Sequence, residues 1–208
     1  MATNLCEKVL TACIGASCDN PIFTGIEQKA WIFNKSEIAS FTTADGEPNL
    51  YTAITMKTHT VGSDEVSYTG YTVQQLGKTP FTGTVVSMQE GNVANKFNSE
   101  VHFTVPDNCP TAAKILDMLK DGKFVVVLAN DYEGSDNKGK YQVFGSKKGL
   151  SCTAIENDKY SEDTDGGWAV TLTEENGPVS AMFIQHMSSD ATPVDDTATY
   201  LDSLVSCE

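Results

Sequence analysis

The sequence contains no arginine. All 14 of its Lys-or-Arg residues are lysines, set against 28 aspartates and glutamates, so the formal net charge is −14. Arginine supplies the planar, bidentate donor that proteins use to recognise phosphate groups and base edges, and a strongly acidic surface repels a polyanion. We therefore expect no specific binding of nucleic acid.

Long apolar runs are also missing. No stretch reaches the roughly 18 consecutive apolar residues that a membrane-spanning helix needs, so we expect no membrane association. Residues 10–13 resemble the cleavage site of a lipoprotein signal, but Glu7 and Lys8 interrupt the roughly 7–15 apolar residues that should precede such a site.

Motifs for catalysis and for metal binding are lacking as well. There is no G-x-S-x-G, no P-loop and no G-x-G-x-x-G, and His59, His102 and His186 are isolated in sequence. The six cysteines form no C-x-x-C pair, so neither a zinc site nor a disulfide framework is predicted. Cys109 and Cys152 are more typical of small core residues than of nucleophiles. We expect no enzyme activity, no cofactor and no metal.

Two acidic segments could in principle bind a hard cation. Residues 131–142, DYEGSDNKGKYQ, place glycine at position four and glutamine at position twelve, whereas a calcium loop needs glycine at six and glutamate at twelve. This segment is better interpreted as a hairpin tip. Residues 156–167 form a second cluster, which we interpret as an exposed acidic loop, with carboxylates at Glu156, Asp158, Glu162, Asp163 and Asp165.

Alternation of apolar and polar residues predicts ten strands. They fall at residues 26–34, 49–58, 65–76, 81–90, 95–105, 124–130, 140–145, 150–157, 167–175 and 179–187. The continuous apolar run at 124–129 predicts a strand that is buried on both faces.

One amphipathic helix is predicted between the fifth and sixth strands, at residues 110–121. Asn108 is the candidate N-cap, Pro110 occupies the first turn, and Gly122 is expected to end the helix with a positive φ. Its apolar face comprises Ala112, Ile115, Leu116 and Leu119. A second short helix or docking arm is predicted around residues 200–205.

Five strands, a helix and five strands, without helices alternating between strands, favour a mainly β fold. We expect an antiparallel β-sandwich or barrel of about ten strands with one packed α-helix. The predicted organisation is an N-terminal arm at residues 1–25, a β domain at 26–188 and a C-terminal arm at 189–208.

Residues 140–184, KYQVFGSKKGLSCTAIENDKYSEDTDGGWAVTLTEENGPVSAMFI, carry a resemblance to a known family. A strand ending in VFG, a short link into GL, a strand, a variable loop, a strand ending in TLTEENGP and the strand SAMFI follow one another. Together with GIEQKAWIFNKSEIASFTT and YTAITM near the N-terminus, this order and spacing resemble the tail tube proteins of phages and prophages, over about residues 25–187.

The resemblance implies a non-enzymatic structural protein of the virion, assembled in the host cytoplasm. Its partners would be other virion proteins and itself, in hexameric rings stacked into a tube for genome passage. Residues 58–83 would form an extended hairpin or loop that reaches a neighbouring subunit. The candidate subunit-interface residues are Thr60, Val61, Tyr68, Tyr71, Leu76, Phe81, Leu201 and Leu204. The carboxylates of the acidic loop would face either the lumen or the exterior.

Two alternatives stay open. Cys6, Cys13 and Cys18 crowd the N-terminal arm, which is not expected of a tube protein, and a head auxiliary, decoration or neck-connector protein of the same broad fold is the first alternative. The second is a β-sandwich module that binds glycans or proteins through aromatic side chains. Tyr51, Tyr68, Tyr71 and Phe81 could form such a platform, although aromatics at strand spacing are usually core residues or cross-strand pairs.

Overall fold

The computed structural model describes residues 24–74, 79–92, 94–189 and 193–206. Over these residues the protein is mainly β, as predicted. The elements are β1 (Ile26–Asn34), β2 (Ile38–Ala44), β3 (Glu47–Met56), β4 (Thr58–Val61), β5 (Asp64–Ser67), β6 (Tyr71–Gln74), β7 (Phe81–Gln89), β8 (Lys96–Val105), α1 (Pro110–Lys120), β9 (Lys123–Asn130), β10 (Tyr141–Phe144), β11 (Leu150–Asn157), β12 (Trp168–Gly177), β13 (Met182–Ile184) and α2 (Thr197–Ser203).

Eleven strands belong to one sheet, in which β2, β3, β13, β10, β9, β11, β12, β8 and β7 are successive neighbours. β1 pairs with both β9 and β6, while β4 and β5 form a separate two-stranded sheet. The ladders between the described strands are antiparallel, as predicted, except the short one between β13 and β3, which is parallel.

The central strand, β9, has three strand partners. β1 lies along one edge, and the other edge pairs with β11 near Phe124 and then with β10 from Val126 to Ala129. The sheet therefore divides at β9, which becomes a wall between two hydrophobic cores.

The side chains of β9 alternate between those two cores. Phe124, Val126 and Leu128 lie in the first core, which also contains residues of β8, β11, β12 and α1. The alternating residues Val125, Val127 and Ala129 lie in the second core, which is built from β2, β3, β10, β13 and α2. The prediction that this strand is buried on both faces is confirmed.

Helix α1 covers the first core with Ala112, Leu116 and Leu119, as its apolar spacing predicts. Ile115 is 48% exposed, so it does not belong to the buried face. The N-cap is Cys109, whose Sγ accepts a hydrogen bond from the Ala112 N–H at 3.4 Å. The prediction of Asn108 as the cap is wrong because its side chain is occupied elsewhere.

The end of α1 and several strand limits also differ from prediction. Asp121 is the C-cap, and Gly122 is not among the glycines with positive φ. β2 was not predicted because its polar, mostly exposed residues give little alternation. The predicted strand at 65–76 is divided between β5 and β6, and that at 179–187 is reduced to β13.

Residues 193–206, within the predicted C-terminal arm, pack against the second core. Leu201 of α2 is fully buried. The indole N–H of Trp31 donates to Asp202 Oδ1 at 2.8 Å, and the Gly70 N–H donates to the Leu204 carbonyl at 2.9 Å. Of the two forms predicted around residues 200–205, a short helix or a docking arm, the structure has a helix, α2, which begins three residues earlier than predicted. Residues 1–23 of the predicted N-terminal arm lie outside the described residues.

Candidate assembly surface

The β4–β5 hairpin stands apart from the main sheet. Its ladder runs from Thr58 opposite Ser67 to Val61 opposite Asp64. Every residue from 58 to 67 is exposed except His59, which is half-buried. Val61 and Val66 are 56% and 41% exposed. The hairpin thus presents apolar side chains to solvent without a core of its own.

The base of this hairpin is fixed to the rest of the protein. The rings of His59 and Tyr68 lie 4.3 Å apart, and Tyr68 also packs against the second core. The Tyr68 N–H donates to the Lys57 carbonyl at 2.9 Å, and the Lys57 N–H donates to the Glu37 carbonyl at 2.8 Å. The hairpin is therefore attached firmly at one end and exposed at the other.

The candidate interface residues do not all share this surface. Thr60 and Val61 lie on the hairpin and Tyr68 lies at its base. Phe81 is 6% exposed and its ring lies 6.3 Å from that of Phe103 in the first core. The remaining residues are Tyr71, 54% exposed on β6; Leu201, buried in the second core; Leu204, partly buried against it; and Leu76, outside the described residues.

The main sheet has open edges in the part of the chain that is described. β7 pairs only with β8 there, β2 only with β3, and β6 only with β1. β7 is nine residues long, contains no charged residue or proline, and exposes Val85, Val86 and Met88. Such an edge has none of the charges or prolines that usually prevent strand addition.

The acidic loop between β11 and β12 has a defined backbone. The Asn157 side-chain amide donates to the carbonyls of Gly166 and Gly167 at 3.1 and 2.8 Å, and the Asn108 amide donates to Gly166 at 2.7 Å. All five candidate carboxylates, those of Glu156, Asp158, Glu162, Asp163 and Asp165, are on exposed residues. Tyr160, which is not among the predicted site residues, is 96% exposed within the loop.

A His–Asp–hydroxyl cluster near α2 was not predicted either. His186 Nδ1 lies 2.6 Å from Asp196 Oδ1, and the His186 ring stacks on Tyr200 with 4.0 Å between centroids. The Thr197 hydroxyl, however, donates to Asp195 Oδ1 at 2.6 Å and accepts the His186 backbone N–H at 2.8 Å. Because Thr197 is only 1% exposed, this hydroxyl has a structural role and cannot reach a substrate.

The hydrogen bonds of this cluster also affect Asp195. Burial raises the pKa of the Asp195 carboxyl, but hydrogen bonds from the Thr197 side chain and backbone and from Gln185, together with the positive charge of Lys140, outweigh burial and hold that pKa below its ordinary value. The carboxylate is therefore stabilised in its charged form where α2 begins.

The described residues contain no group of three or more His, Cys, Asp and Glu side chains placed to hold a metal ion. A groove of about 300 Å³ lies between the β2–β3 turn and β13, and an ion pair of 2.6 Å joins two of its lining residues, Lys138 and Glu47. In the same part of the chain, no helix is long and apolar enough to cross a membrane.

No known protein family, curated protein or solved structure matches the chain. Function must therefore be inferred from the surfaces described above.

Proposed function

We propose that the protein is a non-enzymatic structural protein of a phage virion, which assembles with copies of itself into rings that stack into a tail tube. Six copies per ring is the number implied by the resemblance to tail tube proteins. The observation that carries the proposal is the exposed β4–β5 hairpin.

A two-stranded hairpin is marginally stable in water unless it packs against something else. This hairpin is attached at its base through the ring contact of His59 and Tyr68, while its remaining residues are exposed among the described part of the chain. Full burial of a valine stabilises by about 1.5–3 kcal/mol, so contact of Val61 and Val66 with a neighbouring subunit would stabilise both the hairpin and the association. With four residues in each strand at about 3.4 Å per residue, the hairpin extends roughly 14 Å.

The open strand edges support repeated contacts between copies. An edge such as β7 can pair with a strand of another subunit, and the sheet then continues across the boundary. Contacts that join two different surfaces repeat from copy to copy, and they close into a ring when the rotation between copies permits.

The charge of the protein suits a passage for DNA. A net charge of −14 and the absence of arginine would keep a lumen from binding the genome during its transit, because like charges repel. In the single chain the carboxylates of the acidic loop between β11 and β12 are exposed as well.

Negative-stain electron microscopy and mass photometry of the purified protein test this proposal. We expect rings or tubes with an open centre. Val61→Ser with Val66→Ser should reduce their abundance. The control Met187→Ser with Val194→Ser should not, since those residues are similarly exposed but belong to the segment between β13 and α2.

A single species near 22.4 kDa at all concentrations would refute assembly into rings. Binding of such a species to capsids would favour the head decoration alternative, and binding to a glycan array would favour a glycan-binding module. Glycan binding is less expected, because Tyr51, Phe81 and Trp31 are buried and cannot form an exposed aromatic platform.

A further inference from the structure

Four lysines gather around the turn that joins β10 to β11, at residues 145–149. Lys147 and Lys148 lie within the turn and are exposed, as is Lys123 at the start of β9, while Lys35 is partly buried beside β1. A Cβ at Gly149 would lie 3.1 Å from Lys123 Cβ and 3.3 Å from Lys35 Cγ, so these side chains converge on the turn. We call these four residues the lysine surface.

The ammonium groups of Lys35, Lys147 and Lys148 contact neutral groups. Lys35 Nζ donates to the Ser146 carbonyl at 2.5 Å, Lys148 Nζ donates to the Glu175 carbonyl at 2.7 Å, and Lys147 Nζ lies 5.5 Å from the centre of the Tyr51 ring. No ion pair joins any of the four ammonium groups to a carboxylate among the described residues. By contrast, Lys29, Lys138 and Lys140 are each paired with a carboxylate.

The carboxylate of Glu174, close to Lys35 and Lys148, is already engaged in a hydrogen bond. Glu174 is 8% exposed, and its Oε1 accepts the backbone N–H of Lys148 at 2.7 Å. Burial lowers the pKa of Lys35, the charge of Glu174 opposes this, and the charge of Lys147 lowers it further. Like charges are thus kept close together on the monomer, and a negatively charged partner would relieve their repulsion.

The acidic loop lies at the opposite end of the same β11–β12 hairpin. The turn with the lysines leads into β11 at Leu150, and the loop follows Asn157, the eighth and last residue of that strand. At about 3.4 Å per residue, roughly 24 Å separate the two ends. One hairpin therefore carries exposed positive charge at one end and exposed negative charge at the other.

We propose that the lysine surface is the docking site for the acidic loop of a second copy of this chain, so that copies associate head to tail. This inference rests on the proposed function, self-assembly. Four exposed carboxylates lie in the loop and a fifth, that of Glu156, lies beside it at the end of β11, against the single Lys159. This negative charge complements the four lysines. It also presents Tyr160, 96% exposed, and tyrosine is common at the centre of protein interfaces.

A head-to-tail contact leaves a free lysine surface on one terminal copy and a free acidic loop on the other. It can therefore repeat, giving a closed ring or an open stack. A nucleic acid is a weaker match for the same surface, because the remainder of a chain with net charge −14 and no arginine repels it.

Reversal of charge at each end, alone and together, tests the contact. Lys147→Glu with Lys148→Glu reverses part of the lysine surface, and Glu162→Lys with Asp163→Lys reverses part of the loop. We expect each pair to weaken self-association at least about ten-fold, because attraction between several charges becomes repulsion. The chain with all four substitutions should recover association close to that of the wild type.

A matched control separates the local contact from overall repulsion. Lys96→Glu with Lys114→Glu changes the net charge by the same amount as Lys147→Glu with Lys148→Glu, but at two exposed lysines outside the lysine surface. It should weaken self-association much less. Sedimentation velocity over a range of concentrations measures association. Circular dichroism and the thermal midpoint verify that each variant is folded.

Three outcomes would overturn the inference. If the wild type assembles but both reversals behave like the control, the docking surface is wrong while self-assembly stands. If the wild type never assembles, the proposed function and this inference fail together. If the wild type binds a short labelled DNA duplex and Lys147→Glu with Lys148→Glu abolishes that binding, the lysine surface is a nucleic-acid site instead.

Discussion

We expect Tyr200→Phe to lower the free energy of unfolding by about 2 kcal/mol. β13 pairs with β3 only at Leu50 and Tyr51. Further along β3, the Tyr200 hydroxyl accepts the N–H of Ile54 and donates to its carbonyl, both at 2.8 Å. A single side chain of α2 thus performs for Ile54 what a neighbouring strand would do.

The magnitude follows from those two hydrogen bonds. Each contributes about 0.5–1.5 kcal/mol net, and a backbone group left unpaired in a partly buried position costs further free energy. The substitution should leave the rest of the contact unchanged, because phenylalanine retains the ring that stacks on His186. The loss therefore reports the hydroxyl alone.

Urea unfolding measures this loss. With a slope of about 3 kcal/mol per molar urea, a loss of about 2 kcal/mol lowers the midpoint by roughly 0.7 M. Tyr160→Phe is the control, since that side chain is 96% exposed. Amide exchange at Ile54 should accelerate in Tyr200→Phe. Equal midpoints for the two variants, or unchanged exchange at Ile54, would refute the bridging role of Tyr200.

Three further predictions concern stability. Leu201→Ala should cost about 2–5 kcal/mol in thermal or urea unfolding, and more than Leu204→Ala, because Leu201 is fully buried and Leu204 is not. Gly145→Ala should destabilise the protein more than Gly46→Ala. Both glycines have a positive φ, +77° at Gly145 and +78° at Gly46, but only at Gly145 would the new Cβ lie 2.5 Å from a carbonyl oxygen. The folded-state pKa of Asp195 is lowered, so the stability that its carboxylate contributes is present above the ordinary pKa and is lost as pH falls through the folded-state pKa. Asp195→Asn should therefore make the free energy of unfolding depend less on pH below about pH 4.

Local patterns in the sequence predicted the mainly β fold, the position of α1 and the strand at 124–130. These features depend on short-range periodicity, which the sequence displays directly. The apolar run of β9 could be assigned to a strand with two buried faces because no polar residue interrupts it.

Features that depend on contacts between distant segments could not be predicted. Cys109 rather than Asn108 caps α1 because the Asn108 amide is held by the acidic loop, nearly sixty residues further along the chain. β13 pairs in parallel with β3, although about 130 residues of sequence separate Leu50 from Phe183. The lysine surface escaped sequence analysis for the same reason, since Lys35 and Lys147 are far apart until β9 brings their turns together.

The candidate interface residues show a related limit. An apolar residue in a strand or helix can face either a core or a partner, and periodicity does not distinguish the two. Phe81 and Leu201 are buried within the single chain, whereas Val61 is exposed on the hairpin. Only the fold separates these cases.

Side chains that stabilise the fold and side chains available for assembly lie in different places in this protein. The two cores meet across β9 and β1, so stability depends mainly on side chains packed on either side of this shared wall. The exposed side chains of the β4–β5 hairpin, the lysine surface and the acidic loop belong to neither core. At dilutions where the protein is monomeric, substitutions on these surfaces should therefore leave the unfolding midpoint nearly constant while changing association at higher concentration, whereas core substitutions should change both. A loss of assembly with an unchanged midpoint would thus identify a contact between subunits rather than a folding defect.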